Sequence, residues 1–97
     1  MEIKQTALAG TLESSDLQVM ITNGNDGIQI ELESDVKKQF GAQIKATITA
    51  VLQSYDIEQA NVRVVDKGAL DMVIKARTIA AVQRALDIAD QPTWEVL

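Results

Sequence analysis

Histidine and cysteine are both absent from the 97 residues. The chain therefore has no imidazole to serve as a general base near neutral pH and no thiol nucleophile. Hydrolase triads and Cys/His zinc sites are excluded within it, and so is a disulfide framework. Its carboxylates are scattered along the sequence, so catalysis by the chain itself and a resident metal are not expected. Aromatic residues number three, Phe40, Tyr55 and Trp94, too few for a base-stacking platform. No apolar run approaches the roughly 20 residues of a membrane span, and Met1 to Thr6 contains neither a basic leader nor an apolar signal core. The cytoplasm is the compartment this implies. Nine basic against fourteen acidic residues give a net charge of −5. That balance disfavours nucleic acid and suits docking onto basic partner surfaces.

What is present reads as one small globular domain over 1–97, with 46% apolar and 24% charged residues. Thr6 to Leu12 is compatible with a strand, with Gly10 marking a bend or bulge. Leu17, Val19 and Ile21 alternate with polar or exposed-type residues, as in a half-buried strand. Asn23 to Gly27 is a dense turn signal, and Ile28, Ile30 and Leu32 then alternate as the arm of a hairpin. After Ser34 the period changes. Val36, Phe40, Ile44, Ile48, Val51, Leu52 and Tyr55 fall three or four apart, which predicts a helix from about Asp35 to Ser54. Ser34 is its N-cap, Asp35 favours its dipole, and Phe40 is one of its core anchors. Asn61 to Val65 returns to strand composition, Asp66-Lys67-Gly68 supplies a turn, and Leu70, Met72 and Ile74 alternate as a second hairpin. The same stretch also fits a helix that begins earlier. From about Arg77, Ile79, Val82, Leu86 and Ala89 mark a last amphipathic helix ending before Pro92, with Trp94 packing the tail. The order is βββ-α-ββ-α, an α+β two-layer sandwich with a mainly antiparallel sheet and two helices on one face.

Among four serines, Ser34 reads as a cap and Ser54 lies in the last helical turn. Ser14 and Ser15 differ. They lie in Leu12-Glu13-Ser14-Ser15-Asp16-Leu17, between two strand candidates, at the tip of a hairpin open to another protein's active site. Composition leaves two readings open. Ser-Ser-Asp is ordinary turn chemistry, and a serine there is also a substrate for covalent modification. A modified serine needs no base in its own chain, because the modifying enzyme supplies one.

The segment Ala9-Gly10-Thr11-Leu12-Glu13-Ser14-Ser15-Asp16 closely resembles the N-terminal part of the citrate lyase acyl carrier (gamma chain) family. Lys38-Gln39-Phe40-Gly41 and Asp66-Lys67-Gly68-Ala69-Leu70-Asp71, followed by Lys75-Ala76-Arg77, are similar in the same order across nearly the whole chain. The resemblance implies a non-catalytic carrier subunit. The first serine of its Glu-Ser-(Ser or Gly)-Asp segment, here Ser14, is implied to bear phosphoribosyl-dephospho-coenzyme A through a phosphodiester. It implies transferase (alpha) and lyase (beta) partner subunits of citrate lyase and a modifying holo-carrier synthase. The arm's thiol would carry acetyl and citryl thioesters between the two subunits as citrate is cleaved to acetate and oxaloacetate. Glu13, Ser15 and Asp16 flank the attachment serine as candidates for recognition by the modifying enzyme. Asp66, Lys67 and Asp71 are candidates for a partner-docking edge, beside their plainer role as a turn. Two other readings compete: the acyl carrier of malonate decarboxylase, and a structural or regulatory α+β module with no prosthetic group. Asp-Ser-Leu, the attachment motif of helical fatty-acid carriers, does not occur, and the strand-rich first half contradicts a bundle.

Overall fold

The computed structural model describes residues 2–34 and 37–88. Their order is β1 (Ala7–Gly10), β2 (Leu17–Thr22), β3 (Ile28–Ser34), α1 (Lys37–Ser54), β4 (Ala60–Asp66) and α2 (Asp71–Ala85). The four strands form one sheet in the order β1-β2-β4-β3. β1 pairs with β2, and β2 with β4, antiparallel; β3 and β4 run parallel. The α+β class with a mostly antiparallel sheet and two helices is thus the observed one.

Two details of the predicted order differ. The arms β2 and β3 do not pair with each other, because β4 lies between them. The turn at Asn23–Gly27 instead spans the entry of β4, whose Ala60 N–H donates to the Gly27 carbonyl at 3.1 Å. Parallel strands cannot be joined by a tight turn, and α1 provides the crossover between β3 and β4. The second difference is the predicted hairpin after Gly68. Leu70 caps the start of α2 with extended backbone (φ −75, ψ 159), and the helix begins at Asp71 rather than near Arg77. The order is therefore βββ-α-β-α. Ala89, Pro92 and Trp94, like Asp35 and Val36, lie outside the described residues.

Burial alternates along the sheet. Leu17, Val19 and Ile21 of β2 and Val62 and Val64 of β4 point into one core. The helices cover it with Ile44, Ile48, Val51 and Leu52 of α1 and Ile74, Ala81, Val82 and Ala85 of α2. Each fully buried Leu or Ile contributes roughly 1.5–3 kcal/mol of hydrophobic stabilisation. The opposite sheet face is open and carries an exposed Arg63–Glu31 pair at 3.5 Å. Phe40 departs from its predicted place: it is 48% exposed, so the core stripe of α1 begins at Ile44.

Candidate functional site

The β1–β2 hairpin turns sharply at Gly10. Its φ is +90, and a Cβ there would lie 1.8 Å from the Leu17 carbonyl oxygen, so only glycine fits. Beyond it, Glu13 to Asp16 form a turn closed by the Asp16 N–H donating to the Glu13 carbonyl at 3.1 Å. Ser14 and Ser15 are its two central residues, and both are exposed. Ser15 has φ 65, the left-handed conformation that a type II turn requires at its second central position, where glycine is preferred. The turn thus supplies a backbone reason for glycine at that slot, where this chain has serine. The Ser14 hydroxyl is exposed and has no partner among the described residues.

The turn is fastened on two sides. The Ser15 N–H donates to the Lys67 carbonyl at 2.7 Å, and the Lys67 N–H donates to the Asp16 carbonyl at 2.9 Å, which ties the tip to the end of β4. The Asp16 carboxylate anchors the other side. Arg77 of α2 donates from Nε to Oδ1 at 3.0 Å and from Nη2 to Oδ2 at 2.9 Å, a bidentate pair. The Thr11 hydroxyl donates to Oδ2 at 2.6 Å and the Leu17 N–H to Oδ1 at 2.7 Å. The Arg77 guanidinium first, then the Thr11 hydroxyl and the Leu17 amide, hold the Asp16 carboxyl well below the usual carboxylate range. Thr11 also accepts from the Glu13 N–H at 3.2 Å.

The candidate residues separate by environment. Glu13 is exposed at the tip, whereas both oxygens of Asp16 are engaged internally. Lys67 and Asp71 are exposed, but Asp66 is only 2% exposed. Its Oδ2 accepts from the Ser34 hydroxyl at 2.8 Å, and its Oδ1 accepts from the Gly68 and Ala69 N–H groups at 3.2 and 2.9 Å. Asp66 therefore shapes the loop that holds Lys67 and offers no carboxylate to a partner. Thr11 and Arg77, inside the recognised segments but not singled out by sequence reasoning, prove to be part of the site. Arg77 meets Asp16 across 61 positions of sequence, a separation no local spacing reports. Among the described residues, no group of three carboxylates is placed to hold a metal ion, and no helix is long and apolar enough to cross a membrane.

Over its 97 residues the chain is 68% identical to the citrate lyase acyl carrier protein of Leuconostoc citreum (strain KM20), with all of both chains covered. It is 66% identical to that of Lactococcus lactis subsp. lactis (strain IL1403), again covering 100% of each. The family model described as malonate decarboxylase delta subunit matches residues 4–85. Among solved structures, a chain of a Pseudomonas malonate decarboxylase hetero-tetramer in complex with malonate superposes with a TM-score of 0.75. The match covers 88% of each chain at 19% identity, a likeness of fold.

Proposed function

The chain belongs to the citrate lyase acyl carrier protein family, and we propose that it performs the carrier role through a phosphoribosyl-dephospho-coenzyme A arm joined to Ser14 Oγ by a phosphodiester. The observation that supports this most is the state of that hydroxyl: exposed, without a partner among the described residues, and mounted on a turn tied to both β4 and α2. A carrier needs a rigid root under a mobile arm, and the two ties supply it. When attached, the arm provides the thiol this chain lacks, on which acetyl and citryl groups are held as thioesters.

The chain's own residues contribute position and exposure. No histidine or cysteine exists to activate Ser14, so the proton must leave through a base of the modifying synthase. Asp16 acts indirectly: it fixes the turn through Arg77 and Thr11 and leaves Glu13 as the free carboxylate beside the attachment point. Exposed Lys67 and Asp71 form the docking edge that the transferase (alpha) and lyase (beta) subunits and the synthase would meet. Tethering raises the thioester concentration at both partner sites without requiring tight contacts.

Intact-mass analysis after incubation with the synthase and its triphosphorylated donor tests the assignment. Mass should be added to the wild-type chain and to Ser15→Gly but not to Ser14→Ala; addition to Ser14→Ala would move the site elsewhere. In the reconstituted complex, release of acetate from citrate supports citrate lyase. Release of acetate and carbon dioxide from malonate would transfer the chain to the malonate decarboxylase reading.

A further inference from the structure

Beside the attachment turn lies a groove of about 350 Å³, walled by Phe40 and Ile44 of α1 and by Ala69, Leu70 and Ile74 of the β4–α2 connection and α2. Its polar groups are few. Gln43 Nε2 donates to Asp71 Oδ2 at 3.1 Å across the rim, and Asp66 and Gly68 contribute to the lining. Phe40 is 48% and Leu70 70% exposed. Exposed apolar side chains are ordinary when scattered singly, but these two wall one groove.

We propose that this groove is a berth for the pantetheine portion of the arm rooted at Ser14, occupied while the carrier is between partner subunits. The inference rests on the Ser14 assignment and adds a resting place for the group. Proximity argues for it first. The Ser15 N–H touches the Lys67 carbonyl at 2.7 Å, and Gly68, the next residue, lines the groove. Standard bond lengths then place the Ser14 and Gly68 Cα atoms no more than about 10 Å apart.

Size and chemistry argue for it next. The volume falls at the lower end of the range for small-molecule sites, roughly 300–1,000 Å³. A protein partner would instead need a face of about 800 Å². An apolar trough with a few hydrogen-bonding groups matches a chain in which methyl and methylene groups alternate with amides. High intrinsic affinity is unnecessary. Pantetheine is the far part of the arm, and the phosphoribosyl, adenosine and diphosphate that precede it form a flexible tether that folds back over the groove. Such a tether holds its end at an effective concentration of order mM, so a millimolar site suffices for about half occupancy.

The absence of cysteine makes the test clean, because the arm's thiol is the only one in the holo-protein. Its alkylation rate with iodoacetamide is compared with that of free pantetheine, after intact mass has verified loading. The berth predicts reaction about twofold slower or more in the wild-type holo-chain. Phe40→Ser and Leu70→Ser, both at exposed positions that leave the core intact, should each restore the rate to near that of pantetheine. Amide shifts of Gln43, Gly68, Ala69 and Leu70 between apo and holo forms give a second readout, expected in the wild type and lost in both variants. A fully loaded wild-type chain whose thiol reacts as fast as pantetheine overturns the berth alone, as does protection indifferent to both substitutions. A wild-type chain that gains no mass overturns the Ser14 assignment and the berth with it.

Discussion

Ser15 and Asp16 show how two residues beside Ser14 set its geometry without touching chemistry. Ser15 sits at φ 65, where a Cβ costs roughly 1–2 kcal/mol. Glycine removes that strain but carries about 0.5–1 kcal/mol of extra backbone entropy in the unfolded chain. Ser15→Gly should therefore leave stability unchanged or raise it by up to about 1.5 kcal/mol. Ser15→Val, β-branched in the left-handed region, should add to the strain serine already carries, destabilise the turn and slow modification of Ser14. Urea unfolding and timed mass analysis measure both. Asp16 responds to pH. Arg77, Thr11 and the Leu17 amide lower its folded-state pKa below the value of about 3.9 expected in the unfolded chain. As pH falls the unfolded chain is protonated first. The contribution of this clamp is thus complete above about pH 4–5 and fades at lower pH. Thermal unfolding should show Asp16→Asn less stable than wild type at neutral pH, with the gap closing below about pH 4; a gap that widens in acid would refute the assigned clamp.

At the scale of elements, the β4–α2 connection carries the most consequence. Asp66 ends β4 and receives the Ser34 hydroxyl and two backbone N–H groups while almost fully buried. Asp66→Ala would take the acceptor from the part-buried Gly68 and Ala69 amides, at a cost of about 2–4 kcal/mol. At roughly 4–8 °C per kcal/mol the Tm should fall by about 10 °C or more. Asp66→Asn keeps an acceptor for the Gly68 and Ala69 amides, and differential scanning calorimetry should find it much milder. This connection is also where sequence pattern misleads. Leu70, Met72 and Ile74 alternate as a strand would, but Leu70 and Met72 are 70% and 75% exposed and only Ile74 is core. The true buried stripe of α2 runs through Ile74, Thr78, Ala81, Val82 and Ala85, and a search for large apolar side chains passes over Thr78, Ala81 and Ala85, which link Ile74 to Val82 as one helix. Where the stripes were large, as along Ile44, Ile48 and Leu52 or Leu17, Val19 and Ile21, the elements were legible. The insertion of β4 between β2 and β3 was not, because alternation reports which face is buried and says nothing of which strand is the neighbour.

For the molecule as a whole, the attachment turn is the tip of the β1–β2 hairpin, and its two cross-ties run to β4 and α2. Among the described residues, one continuous apolar cluster joins the sheet to both helices. The turn is fastened outside it by the Lys67 backbone and the Asp16–Arg77 pair. Substitutions should accordingly dissociate stability from loading. Leu52 is fully buried on α1, so Leu52→Ala should cost about 2–5 kcal/mol. Against the roughly 5–15 kcal/mol typical of a domain this size, the comparison is made at 25 °C on chains shown folded by circular dichroism. The modification rate of Ser14 at that temperature should stay within about twofold of wild type, since the cavity lies in the core and a folded chain presents the same turn. Arg77→Ala should do the reverse. Its guanidinium is substantially exposed, so its loss should cost less stability than the core cavity, but the Asp16 carboxylate loses its bidentate partner and keeps only the Thr11 hydroxyl and the Leu17 amide, beside the Lys67 backbone tie. Modification should slow while the urea midpoint moves less than in Leu52→Ala, and Arg77→Lys, which supplies charge without the planar fork, should rescue only part of the rate. If Leu52→Ala slowed loading as much as Arg77→Ala in chains equally folded by circular dichroism, the root of the arm would have to be sought in the packing of the whole domain rather than in the two ties that bracket Ser14.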